Sequence, residues 1–276
     1  MQPTAERGPS VLDHLPPSTN TYVYESLDQF ASILSAETER LQQDRDNRSQ
    51  LLVFAHVPNY AFEQDLQEPA SDIPRYTLDA YTAHDNLLIV KMRSGPHEAA
   101  HEAVRTVLIG KLSHMSHAER GLYGLGQTTV KGNQRAKEAD ISYIPVRLPR
   151  GRSDEWPTLA LESGYTDSQG KLTANAEWWL SASNGDTKIA MTLDIDKKSR
   201  KITIKAFEYS DTGNLHEESV TVQKPYNSDI QVLGAPLRIP FRKLFLREPV
   251  GNEEDIMWED DDLTYIAEAA WSRQKF

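Results

Sequence analysis

The chain has 276 residues, 38% hydrophobic and 26% charged, which supplies a substantial soluble core and points to one large domain or two small ones. The formal net charge of −11 argues against a plain nucleic-acid-binding module, where affinity comes largely from neutralising phosphates, yet leaves room for a local basic groove. There is no cysteine, so disulfides, thiolate catalysis and cysteine-held zinc are excluded, and any metal must be held by oxygen or imidazole.

No stretch approaches the ~18 apolar residues that a membrane span needs. The polar start, Met1–Pro17 with Glu6 and Asp13, lacks the basic-then-apolar layout of a signal peptide. The expectation is an intracellular protein, cytoplasmic or nuclear, with no membrane partner.

Residues 1–20, rich in Pro, Ser and Thr, read as a flexible lead. Leu27–Asp44 reads as a helix, because Leu27, Phe30, Ile33, Leu34 and Leu41 fall close to one stripe. Leu51–Val57 is a short apolar run before Pro58 and reads as a buried strand. Residues 58–84, broken by Pro58, Asn59, Pro69 and Pro74, read as a long loop or inserted arm. Asn86–Met92 is a second strand. Ser94-Gly95-Pro96 introduces a helix from about His97 to His117, with Val104, Val107, Leu108, Leu112 and Met115 at 3/4 spacing. Gly121, Gly124 and Gly126 end it.

Lys137–Ile144 reads as a strand, and Pro145–Trp156 as a loop made basic by Arg147, Arg150 and Arg152. Pro157–Leu161 leads a strand into Glu162. Leu172–Leu180 reads as a helix, and Trp178-Trp179 on it as one ring packed and one partly exposed. Lys188–Ile195, Lys201–Tyr209 and Ser219–Val222 are β-like, the first two joined as a hairpin, and Gln231–Phe245 is apolar and proline-punctuated. Asn252–Leu263 holds seven acidic and no basic residues; its default is a solvated tail, with binding of a basic protein partner as the functional reading. A short helix closes the chain from Leu263 to Trp271. This order predicts an α/β domain with a central mixed sheet flanked by helices.

Three acids stand out. Glu98 lies in the first turn of the long helix, Asp140 on a strand with Ser142 on the same face, and Glu162 directly after the apolar run Thr158–Leu161. Carboxylates on adjacent strands at the rim of a sheet suit metal-assisted phosphodiester hydrolysis, in which one or two divalent cations acidify a water and offset transition-state charge. A lysine often assists.

The segments Glu138-Ala-Asp140, Pro157-Thr-Leu-Ala-Leu-Glu162-Ser-Gly-Tyr-Thr-Asp-Ser and Trp178-Trp-Leu180, with Met92-Arg-Ser-Gly-Pro-His97-Glu98 upstream and Ile189–Ile195 downstream, carry a resemblance. Over roughly residues 90–210 the chain resembles a largely fungal family of the PD-(D/E)XK, or restriction-endonuclease-like, nuclease superfamily. The resemblance implies an α/β, restriction-endonuclease-like core within a domain spanning about 21–250, followed by the acidic segment 251–276. It implies that Asp140 and Glu162 hold Mg²⁺ or Mn²⁺, that Glu98 completes the metal site, and that the substrate is nucleic acid. Two positions depart from the pattern: Ala139 stands where the motif has proline, and Gly164 where it has lysine. Lys171 at the start of the next helix is the first candidate for a displaced lysine, and Lys188 the second. The alternative is a nuclease fold kept as a non-catalytic interaction or effector module.

His97-Glu98-Ala-Ala-His101 also reads literally as HExxH, in which two histidines on one helix face ligate zinc with the Glu as base. The competing expectation is that Glu98 and Glu102 serve the positive end of the helix dipole and the histidines are exposed. His114 and His117 read as exposed histidines.

Overall fold

The computed structural model of the chain describes residues 11–44, 47–71, 73–126, 128–132, 134–165 and 169–274. The first large sheet is built around β2 (Leu51–Ala55) and β4 (Leu87–Met92), antiparallel neighbours whose alternate residues face opposite ways. Leu52, Phe54, Leu88 and Val90 turn to one side and meet Phe30, Leu34 and Leu41 of α1 (Leu27–Gln43). That helix starts where Ser26 accepts a hydrogen bond from the amide of Gln29, an N-cap. Leu51, Val53 and Ile89 turn to the other side, together with Lys91, and there Val11 and Leu15 of the N-terminal segment pack on them. The expected flexible lead therefore divides. Residues 1–10 lie outside the described residues, whereas Val11–Pro16 is packed on the sheet.

The segment expected to be a loop or inserted arm contains a short helical turn, α2 (Asn59–Ala61) running on to Leu66, and then a fully buried strand, β3 (Tyr76–Thr82). This strand is central: the sheet order is β1 (Asn20–Val23), β2, β4, β3, β7 (Ala136–Lys137), β6 (Val130–Lys131). Both faces of β3 are covered, so its sequence shows no period of two, and Asp79 at its middle resembles a turn residue. The register along β4 slips between Leu78 and Ala80, so Asp79 is the extra residue of a β-bulge.

The second large sheet runs β13 (Gln231–Leu233), β12 (Leu215–Gln223), β11 (Lys201–Tyr209), β10 (Ile189–Ile195), β9 (Leu159–Tyr165), β8 (Ile141–Pro145), β5 (Leu122–Gly124). Its β9–β10 pair is parallel and its other pairs are antiparallel, so it is the expected mixed sheet. The crossover between the parallel strands is α4 (Gln169–Ala182). Leu159, Leu161 and Tyr165 face α3 (Gly95–His114) and α6 (Asp260–Trp271); Ala160 and Ala190 face Ala176, Trp179 and Leu180 of α4. A small sheet of β14 (Leu237–Ile239) and β15 (Ile256–Trp258), with α5 (Phe241–Phe245) between them, completes the α3/α6 side. The chain is thus an α/β fold of mixed sheets flanked by helices. Among the described residues no helix is long and apolar enough to cross a membrane.

The acidic segment 251–274 is not simply a solvated tail. Ile256, Trp258, Leu263 and Ile266 are buried in the core. Glu253 holds Arg247 through two 2.6 Å contacts, Asp255 holds Arg238, Asp262 holds Lys111, and Glu259 with Asp262 forms the capping box of α6.

Candidate active site

The period of two on β9 divides its polar residues between two layers. Glu162 points to the α4 side, where the indole Nε1 of Trp179 donates to its Oε1 at 2.7 Å. Ser163 points to the α3 side, where its Oγ lies 2.5 Å from His101 Nε2. Asp140 immediately precedes β8, the antiparallel neighbour of β9. Its Oδ2 accepts from the Ser163 amide at 2.7 Å and from Ser163 Oγ at 3.1 Å.

Between the two acids comes a lysine that the spacing of motifs did not single out. Lys91 Nζ lies 2.5 Å from Asp140 Oδ2 and 3.7 Å from Glu162 Oε2, and donates to the Ser163 carbonyl at 3.1 Å. It reaches them from β4, in the other sheet. The signal available in sequence was chemical: a lysine inside the otherwise apolar Leu87–Met92 strand must find an acidic partner.

Lys171, the first candidate for the displaced lysine, is elsewhere. Its Nζ sits 2.9 Å from Asp79 Oδ2 and donates to the Val11 carbonyl at 3.2 Å. Lys137 links the two centres, 3.2 Å from Asp79 Oδ1 and 3.1 Å from Glu162 Oε1. Asn175 and Arg135 complete the Asp79 side, with Asn175 donating to Asp79 Oδ1 and Arg135 to the Asp79 carbonyl. Lys188 lies before β10 and lines a separate open groove of about 660 Å³ with Arg242, Lys243 and Arg247. Neither lysine candidate therefore joins Asp140 and Glu162. A pocket of about 30 Å³ remains beside Asp79, Lys91, Ser163 and Lys171, with Pro16 in its wall; that is room for about one water.

The electrostatics follow from this pairing. Burial alone would push Asp79 up, but Lys137, Lys171, Arg135 and Lys91 hold it well below the usual carboxylate range. Burial would likewise raise Asp140, and Lys91 and His97 hold it well below that range. Lys91 is the converse: burial disfavours its charge, while Asp140 and Glu162 outweigh that and raise its pKa. Burial lowers Lys171 despite the attraction of Asp79.

Glu98 is placed apart from Glu162. Its side chain is 47% exposed, against 1% for Asp140 and 0% for Glu162, and it lies beside Arg93 and His97. The histidines of the HExxH stretch are buried, not exposed, His97 at 2% and His101 at 6%. They face Asp140 and Ser163 because α3 crosses the β9 side of the sheet.

No protein-family model and no curated protein matches the sequence. A solved structure similar to it is described as "a putative nuclease belonging to DUF820" from Anabaena variabilis. The identity is 16%, over 74% of this chain and 98% of that one, with a TM-score of 0.38. At that level the similarity carries no inference about the site.

Proposed function

We propose that the protein is a divalent-metal-dependent hydrolase of nucleic-acid phosphodiester bonds, built on a restriction-endonuclease-like core. The observation that supports this reading is Lys91 Nζ lying between Asp140 and Glu162, two acids at neighbouring places, one just before β8 and one on β9. That is an acid–acid–lysine trio in which the lysine comes from another strand and takes the part left vacant by Gly164.

The residues fit a cation in one respect: Asp140 Oδ1 and Glu162 Oε2 are buried and accept no hydrogen bond. Asp140 and Glu162 would hold Mg²⁺ or Mn²⁺, whereas Glu98, half-exposed beside Arg93 and His97, stands outside that pair. The ion supplies an acidified water and charge neutralisation on the phosphate. Lys91 fixes both carboxylates and offers an ammonium to the charge developing on the phosphoryl oxygens. Trp179 and the Ser163 amide hold the two acids in place.

The test is cleavage of labelled single- and double-stranded DNA and RNA by purified protein with Mg²⁺ or Mn²⁺. Asp140→Asn, Glu162→Gln and Lys91→Met should each lower the rate by ~10²-fold or more, the scale of losing one group that stabilises the transition state. Full activity in folded Glu162→Gln would sink the reading.

A specific observation favours a second reading, a nuclease fold acting as a non-catalytic interaction module. Each acid already has its own ammonium: Asp140 has Lys91, Glu162 has Lys137 and Asp79 has Lys171. No cleavage of any substrate, with a stable partner recovered in pull-downs, is the outcome that selects it.

A further inference from the structure

The two histidines of α3 are left over by the acid–lysine trio. His97 and His101 are one helical turn apart, so their side chains share a face, and their ring centroids are 3.9 Å apart. One ring nitrogen from each and a carboxylate oxygen of Glu98 all lie within 4.8 Å of one another. His97 Nε2 is buried, makes no hydrogen bond, and lies 3.4 Å from Asp140 Oδ2. That separation is longer than a normal N–H···O bond of ~2.7–3.2 Å. Glu98 is the half-exposed member and gives an ion a way in from solvent.

We infer that His97, Glu98 and His101 form a binding site for a borderline transition-metal dication of the Zn²⁺ type, with Asp140 beside His97 and outside the ligand set. Imidazole selects such ions over Mg²⁺, which prefers all-oxygen octahedral shells. This differs from a zinc-protease arrangement, because Glu98 serves as a ligand and not as the base. The site also differs from the all-acid set of Glu98, Asp140 and Glu162: Glu162 lies within 3.1 Å of the Lys137 ammonium, on the α4 side of β9. The inference does not depend on nucleic-acid cleavage.

The experiment is calorimetric titration of the metal-stripped full chain with Zn²⁺ and with Mg²⁺, together with the visible spectrum of the Co²⁺-loaded protein. The expected result is one Zn²⁺ per chain, Co²⁺ bands of a low-coordinate nitrogen–oxygen site, and Zn²⁺ that Mg²⁺ at matched concentrations does not displace. His97→Gln and Glu98→Ala should each weaken Zn²⁺ at least tenfold. Glu98→Ala keeps the metal-free fold safe, because the side chain is half in solvent. Unchanged Zn²⁺ affinity in both variants would assign the ion to another pair such as His117 and Glu119 and overturn the site. So would the absence of stoichiometric Zn²⁺ binding. Because binding is read without substrate, a protein that binds Zn²⁺ but does not cut would overturn only the hydrolase reading.

Discussion

Lys91 and Asp140 join the two large sheets through one buried ion pair of 2.5 Å. Lys91 comes from β4 of the six-stranded sheet and Asp140 from the start of β8 in the seven-stranded one. Removing one partner of such a pair strands the other charge in low dielectric, at a cost of ~3–5 kcal/mol. Lys91→Met should therefore lower the midpoint of denaturant unfolding strongly, and Asp140→Asn should do so to a similar degree. The double variant should lose less than the sum of the two singles, since neither member of the pair is then left facing the other's empty place. Strict additivity in that cycle would show that the two side chains do not interact.

The same pair shows where sequence reading stops. Asp140 and Glu162 stand out in the sequence because each interrupts or borders an apolar run on adjacent strand segments, and both lie beside Lys91. Lys91 and Asp79 were not. Each sits within a strand buried on both faces, where no alternation marks the inward side, and each is charged only because a residue far along the chain compensates it. Lys171 stands at the start of the helix that follows Glu162 in sequence, but the start of α4 directs it to Asp79 instead. The α/β class is legible because it rests on many periodic segments, whereas a buried ion pair rests on a single long-range contact.

Asp79 is the second hub, and its depressed pKa has a consequence for acid stability. A carboxylate whose folded pKa lies below its unfolded value stabilises the fold at pH above the unfolded value of about 3.9. That contribution is lost as pH falls through the folded value. Wild-type unfolding free energy should therefore drop steeply below about pH 4. Asp79→Asn should already be destabilised at pH 7, because Lys137, Lys171 and Arg135 lose their shared anion. Its curve should be flatter across the acid range. Parallel curves for the two proteins would show that Asp79 is not ionised in the fold.

Trp179 tests whether Glu162 is held by its neighbours. The indole is fully buried against Ala160, Ala176 and Trp156, and its Nε1 donates to Glu162 Oε1. Trp179→Phe keeps most of the apolar contact and removes that donor, which should cost ~1–3 kcal/mol for a hydrogen bond to a charged acceptor. Trp178, half buried with Arg135 over its ring, is the control. Trp178→Phe makes the same change of ring without touching Glu162. An equal loss in both variants would leave the indole hydrogen bond with no measurable contribution.

The packed part of the N-terminal segment covers the small pocket beside Lys91 and Lys171. Pro16 forms part of its wall, the Val11 carbonyl accepts from Lys171, and Val11 and Leu15 lie on Leu51, Val53, Ala80 and Ile89. Charging both apolar contacts with Val11→Asp and Leu15→Asp should lift this segment off, because a carboxylate gains nothing from an apolar sheet face and loses its own hydration there. Lys171, 5% exposed in the native fold, should then react with an amine-acylating reagent several-fold faster, read by peptide mass spectrometry. Lys137, which is fully buried deeper in the network, should stay protected and serves as the internal reference. If Lys171 reacts at the same rate in both proteins, the segment does not shield it. If Lys137 becomes reactive as well, the substitutions have opened the sheet itself and not merely its cover.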